Sequence, residues 1–424
     1  MKVGKFLTTS IIAATFFSIT AEAIPENQNS NELPPAQNVP STSTEILTPE
    51  NSGLNPGYTV PVIKGTNPPP PGDALPEVVA VSAIVIEAST GHVIYARNAE
   101  QKMFPASTTK IMTLITALEE GDPDDIVTVS KNSFGTEGST LWLEEGEKIK
   151  LGDLMTGLIM VSGNDAAVAI AEHIDGSTTK FAERMTKKAK EIGATHTQFK
   201  NPHGLPDEQH YTTAHDLALI AAYGYSLKNF EDIVTLKEKP FPRKQDPNNL
   251  LKSENQMLWL YRGGNGVKTG YTDAAGRCLV SAAKRDGIQI VAVVLNSDYM
   301  WNDSIFLLDY GFKHVETKKL LNAGEVVETL PVESGRRKSV QVFAKKEIVV
   351  PVFKNETEPK IQYDLPDYLS APVRKGDIVG KAFVMRDGKK IAETDLIAAS
   401  DSEQNSFFAK LKDFIVNLFK SKVK

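Results

Sequence analysis

The sequence predicts an α+β fold: an antiparallel sheet flanked by helices, then a small all-β domain, then a C-terminal amphipathic helix. Three observations predict it. Two β-rich stretches, residues 78–100 and 263–296, enclose a long region of helical periodicity. Residues 315–398 are β-branched, broken by turns, and lack a long helical period. From Phe407 onward, apolar residues recur every three or four positions.

The first segment is not part of the fold. Lys2 and Lys5 precede an apolar stretch from Phe6 to Ile19, and Ala21-Glu22-Ala23 offers a small-x-small cleavage site. Residues 1–23 therefore read as a signal peptide of an exported protein. Residues 24–77 hold half of the chain's 24 prolines, including the run Pro68 to Pro71. That composition cannot build a core and reads as a disordered linker.

Order is expected from Val78. The two β-rich runs around Ser89-Thr90-Gly91 form a hairpin. Pro105-Ala106 then leads into STTKIMTLITALEE, where Ile111, Leu114, Ile115 and Leu118 make one apolar face and Ser107 stands at the helix start. Asp153 is expected to cap a second helix, and Asn164-Asp165 to open another. Arg285-Asp286-Gly287 joins two strands, closing a catalytic domain over residues 78–314. Residues 315–398 read as a β-sandwich with a hairpin at Asp387-Gly388.

Residues 399–424 read as a linker and an interfacial helix. Phe407, Phe408, Leu411, Phe414, Ile415, Leu418 and Phe419 make its apolar stripe. Lys410, Lys412, Lys420, Lys422 and Lys424 lie mostly off that stripe. Such a helix suits a membrane surface, and the helix is too short and too charged to span one.

Composition removes some classes. With 47 basic and 53 acidic residues the formal charge is −6, which argues against a nucleic-acid partner. Cys278 is the only cysteine, so no intramolecular disulfide can form, and its apolar surroundings read as a small buried hydrophobe. No cofactor and no metal are expected. A zinc site built from His203, His210 and His215 would match no known ligand spacing.

The chemistry lies in three short motifs: Ser107-Thr108-Thr109-Lys110, Ser162-Gly163-Asn164 and Lys268-Thr269-Gly270, separated by 55 and 106 residues. A serine hydroxyl is a poor nucleophile until a neighbouring base takes its proton. Lys110, three residues on, lies on the same helix face as Ser107. It can act as that base if burial and a nearby cation such as Lys268 lower its pKa. Ser162 can relay a proton towards the leaving group, and Asn164 can hold the substrate amide and orient Lys110. Lys268 and Thr269 offer a charge and a hydroxyl to a carboxylate. Gly270 would let a substrate backbone approach the strand. The backbone N–H groups of Ser107 and Tyr271 would form the oxyanion hole.

This set occurs in penicillin-binding proteins and class A β-lactamases. PASTTKIMT, VSGNDAA and GVKTGYTDAAGRCLV resemble the D-alanyl-D-alanine carboxypeptidases, the low-molecular-mass penicillin-binding proteins. The resemblance extends through APVRKGDIVGKAFVMRDGKKIAE and the terminal helix. It implies a β-lactamase/transpeptidase-like catalytic domain, and Ser107 acylated by a peptidoglycan stem peptide ending in D-Ala-D-Ala. It also implies covalent inhibition by β-lactams and a place at the outer face of the cytoplasmic membrane. Two departures touch carboxylate recognition: His215, and Asn296-Ser297-Asp298, stand where the family often has arginine. A β-lactamase is the rival enzyme, yet no E-x-x-L-N-like segment lies between Asn164 and Lys268. A wall-binding protein with a dead site would lack Ser107, Lys110 or Lys268, and all three are present.

Overall fold

The computed structural model describes residues 74–243, 247–354 and 356–405, together with positions 407, 411, 412 and 414. The expected signal peptide, most of the Pro-rich linker and most of the terminal helix lie outside these residues.

The first half is built on a five-stranded antiparallel sheet. Its strands run Val93–Arg97, Ser82–Glu87, Ile288–Leu295, Gly276–Arg285 and Gly264–Thr272, in that order across the sheet. Side chains alternate between its faces. Ile84, Ile86, Val291, Val293 and Leu295 enter one core with the helices that come from the middle of the chain. Ala83, Val85, Ile290, Ala292 and Val294 enter a second core with Met300, Leu307 and Leu308 of the helix Met300–His314. The central strand Ile288–Leu295 is buried along its whole length, so it reads as a continuous apolar run rather than an alternating one. Each large aliphatic side chain buried here contributes about 1.5–3 kcal/mol.

The expected hairpin turns form at Thr90-Gly91 and Asp286-Gly287, and Gly91, Asp286 and Gly287 all have positive φ. One expectation fails. The helix Leu151–Met160 has Lys150, not Asp153, at its N-cap. The short strand Lys148–Lys150 pairs with Ile126–Thr128 and delivers the chain extended up to Leu151, so the helix starts three residues early. Asp153 falls in the first turn, where its charge faces the positive helix end, and it pairs with Lys239 at 3.3 Å.

Asp303 fastens the leading edge of the domain. Its carboxylate accepts the backbone N–H groups of Val79 at 3.3 Å and Ala80 at 2.9 Å, and the Ser297 hydroxyl at 2.7 Å.

The second half is all-β. A six-stranded sheet contains Ile378–Arg386 and Lys389–Ala398, joined by the expected Asp387-Gly388 turn, and a two-stranded ladder pairs Val315–Leu321 with Ile348–Phe353. Leu321, Leu330, Val342, Val350, Val384 and Leu396 form their shared core. Phe353 reaches into the second core of the first half, and His92 stacks on it with ring centroids 3.8 Å apart.

Candidate active site

The serine lies on a turn shaped for its task. Residues Ala106–Thr109 form a 3-10 turn that runs into the helix Lys110–Glu120. A 3-10 turn eclipses side chains three apart, so Lys110 stands directly beside Ser107. Lys110 Nζ lies 3.0 Å from Ser107 Oγ. Ala106, the preceding residue, has φ +48°, a left-handed conformation that costs free energy for a residue with a Cβ. Gly204, at φ +93°, lets a second loop close on this turn: a Cβ there would lie 1.8 Å from the Ala106 carbonyl oxygen.

That loop supplies what the sequence reading missed. Lys110 Nζ also donates to the His203 carbonyl oxygen at 2.8 Å and to Asn164 Oδ1 at 2.7 Å. Its three partners are all uncharged, and the side chain is fully buried. Burial first, then the Lys268 cation, hold the Lys110 ammonium well below the ordinary lysine range, while Glu254 and Asp165 offset part of this. The donor count fits a neutral amine. Two N–H groups can serve Asn164 and His203, leaving the lone pair to accept the Ser107 proton.

Ser162 sits between the helices Leu151–Met160 and Asn164–Asp175, at φ +61°. Its hydroxyl has no hydrogen-bond partner among the described residues. Asn164 is held from the other side: its Nδ2 donates to the Glu137 carbonyl at 2.6 Å, and its N–H to Ser139 at 2.7 Å. Asp165 pins the adjoining loop, accepting from the backbone N–H groups of Leu141 and Leu143 and from the Thr140 hydroxyl.

The third motif lies within the strand Gly264–Thr272, four residues past its start, and this strand is an edge of the sheet. Gly270 is required by the protein itself. A Cβ there would lie 3.0 Å from the backbone nitrogens of Ser107 and Thr108. The strand therefore presses against the serine turn at Gly270, the residue before Tyr271. The Tyr271 ring points outward, with its hydroxyl on Asp273 at 2.9 Å and Arg277 over its face.

Lys268 is as buried as Lys110 and has different company. Its Nζ contacts the Thr269 carbonyl at 3.1 Å and the Thr269 hydroxyl at 3.2 Å, and lies 3.6 Å from the Glu254 carboxylate. Burial lowers its pKa to about 8 against the opposing pull of Glu254.

The histidines do not converge. His203 contributes its carbonyl, and burial with the nearby Lys110 pushes its imidazole down to about 3. His210 Nε2 bonds Thr109 Oγ1 at 2.8 Å while Nδ1 accepts the Lys200 N–H, so it ties two loops together as a neutral ring. His215 pairs with Glu100 at 2.6 Å. Among the described residues no group of three or more His, Cys, Asp or Glu side chains could hold a metal ion. Cys278 is buried, and burial raises its thiol pKa to about 11.

Comparison with known proteins identifies the family. Residues 68–299 match the D-alanyl-D-alanine carboxypeptidase family, and residues 316–404 match the penicillin-binding protein 5 C-terminal domain. D-alanyl-D-alanine carboxypeptidase DacF of Bacillus subtilis is 34% identical over 343 residues, covering 78% of this chain and 88% of its own. DacA of Haemophilus influenzae is 33% identical, covering 80% of this chain and 90% of its own. The crystal structure of penicillin-binding protein 5 from Haemophilus influenzae superposes with a TM-score of 0.58 at 32% identity, over 78% of this chain and all of that one.

Proposed function

Because this chain belongs to the D-alanyl-D-alanine carboxypeptidase family, we propose that Ser107 is its acylated nucleophile, with Lys110, Ser162 and Asn164 as its partners. The protein is a serine D-Ala-D-Ala carboxypeptidase of peptidoglycan metabolism, within a family that binds penicillin covalently. Neutral Lys110 takes the Ser107 proton as Oγ attacks the carbonyl of the penultimate D-alanine. The N–H groups of Ser107 and Tyr271 hold the oxyanion. Ser162 passes the proton from Lys110 to the departing D-alanine nitrogen, and water then hydrolyses the acyl-enzyme. Lys268 and Thr269 seat the terminal carboxylate. Asn164 fixes Lys110 and the substrate amide.

The observation that carries this reading is the buried Lys110 amine at 3.0 Å from Ser107 Oγ with only uncharged partners. Intact-mass measurement after incubation with penicillin tests it. The wild-type protein should gain one penicilloyl adduct and Ser107→Ala none, with its circular dichroism unchanged. Stoichiometric labelling of the mutant would refute the assignment.

The family works on the periplasmic or cell-wall side. Residues 1–23 act as the export signal, residues 24–77 as a tether, residues 78–314 as the catalytic domain and residues 315–398 as a spacer domain. Residues 407–424 act as a peripheral anchor. Phe407, Leu411 and Phe414 support the anchor: they are helical, 74%, 43% and 63% exposed, and spaced along one stripe. No helix among the described residues is long and apolar enough to cross a membrane. A chain ending at Gln404 should keep full activity on small peptides and lose sedimentation with anionic vesicles. Equal sedimentation of the truncated and full mature forms would move the anchor elsewhere.

A further inference from the structure

Glu254 belongs to none of the three motifs and stands inside the cleft. Its Oε2 lies 3.6 Å from Lys268 Nζ and accepts the Thr269 hydroxyl at 3.3 Å. These are the two groups assigned above to a substrate's terminal carboxylate. We propose that Glu254 is a specificity-determining residue: its carboxylate occupies the subsite of the substrate's own carboxylate and must be displaced before a free-acid peptide seats. The proposal rests on the role given to Lys268 and Thr269.

Three features support it. The chemistry is matched, because a carboxylate on a lysine and a threonine hydroxyl is what the substrate would present. The geometry allows exchange, because the Glu254 side chain is 44% exposed while Lys268 is 1% exposed. Glu254 is therefore the solvent-facing member of the pair. The backbone is fixed while the side chain is free to swing: the Glu254 N–H donates to the Met160 carbonyl at 2.9 Å, and the Ser253 N–H to Lys237 at 2.8 Å. The loop is thus pinned two residues before Ser162, and the carboxylate can rotate away without moving the cleft wall.

The consequence is a compressed preference. An intramolecular carboxylate is always present, so a free-acid peptide gains only the difference between its own contact and that of Glu254. A C-terminal amide does not compete for Lys268. Glu254→Gln keeps the size of the side chain and an acceptor for Thr269 while removing the charge.

The test measures kcat and KM for a D-Ala-D-Ala stem peptide and for its C-terminal amide, with wild type, Glu254→Gln and Glu254→Asp. Both variants are compared with wild type at the acid end of the acylation profile, where Lys268 keeps its proton without the support of Glu254; there, in Glu254→Gln, the ratio of kcat/KM for acid over amide should rise about tenfold, through KM for the acid. In Glu254→Asp it should stay within about twofold of wild type, because the charge is retained. The acidic limb of acylation should also move to lower pH in Glu254→Gln. Lys110 faces Lys268, Asp165, Asn164 and the His203 carbonyl, and removing Glu254 takes away a negative charge that raises the Lys110 pKa. An unchanged or smaller acid preference in Glu254→Gln overturns the proposal. So does a slowed release of penicilloate, which would make Glu254 a water-activating base instead. Thr269→Val in the Glu254→Gln background separates the two layers. Loss of the widened preference is expected. Its persistence would remove the carboxylate role from Thr269, and with it the premise.

Discussion

The two walls of the cleft each bury a lysine, and the two lysines are built to opposite ends. On the helical wall, Lys110 meets Ser107, Asn164 and the His203 carbonyl, with no carboxylate in contact. On the strand wall, Lys268 meets Thr269 and the Glu254 carboxylate. Burial alone would discharge both. A counter-charge keeps one of them at about 8, whereas burial and then the neighbouring cation drive the other well below the ordinary range. Identical side chains thus differ in their hold on a proton through what touches them, which supports the roles of base and carboxylate-binding cation proposed for them.

The sharpest way to break that comparison is to remove the proposed base. Lys110→Ala should lower the penicillin acylation rate by about 10³-fold, while mass and circular dichroism report an intact fold. An acylation rate within tenfold of wild type would mean that another group deprotonates Ser107.

The contact between the walls can be tested next. Gly270→Ala places a methyl 3.0 Å from the Ser107 and Thr108 nitrogens, which forces the strand and the serine turn apart by a few tenths of an ångström. Acylation should slow about 10–100-fold through misplaced oxyanion donors. Both substrates, acid and amide, should suffer alike. A loss confined to the acid would place the damage at Lys268 instead.

The pH profile sharpens the difference between the lysines. The neutral fraction of Lys110 grows as pH rises through its depressed pKa, so kcat/KM climbs on the acid side for every substrate. Lys268 is charged below about 8 and loses that charge above it. For a free-acid peptide kcat/KM should then fall by about tenfold per pH unit beyond that point. The amide should show no such limb. Matching alkaline limbs would assign that ionisation to a group other than Lys268.

The legible parts of this site were local ones. Ser107 and Lys110 share one turn, so three residues of spacing fix their proximity before any tertiary structure forms. The hairpins at Thr90-Gly91, Asp286-Gly287 and Asp387-Gly388 were legible for the same reason, since the turn residues carry the conformation. In the strand Ser339–Ala344, Val340, Val342 and Ala344 are buried in alternation with Ser339 and Gln341, so one-sided burial could be read directly.

The illegible parts depend on packing. The His203 acceptor is a carbonyl, and a carbonyl has no side-chain signature. Only Gly204, whose positive φ and close approach to Ala106 admit the loop, left a trace in the sequence. Glu254 precedes Lys268 by 14 residues in a polar loop and resembles any solvated acid. Its place was decided by the backbone bond to Met160, across a gap of 94 residues. Gly270 was read as room for a substrate, and its nearer cause is the chain's own serine turn.

The Asp303 latch has a mechanical consequence. It binds residues 79 and 80 to the first turn of the helix Met300–His314, and the end of that helix continues into the strand Val315–Leu321. Tension applied between the leading segment and the second domain is carried by this helix and the strand Ser82–Glu87 beside it. The strand Gly264–Thr272 lies three places away across the sheet, at the opposite edge, and the serine turn rests on it. A load drawn along the chain would therefore pass along the back of the domain. The cleft on the far edge would keep its geometry under strain.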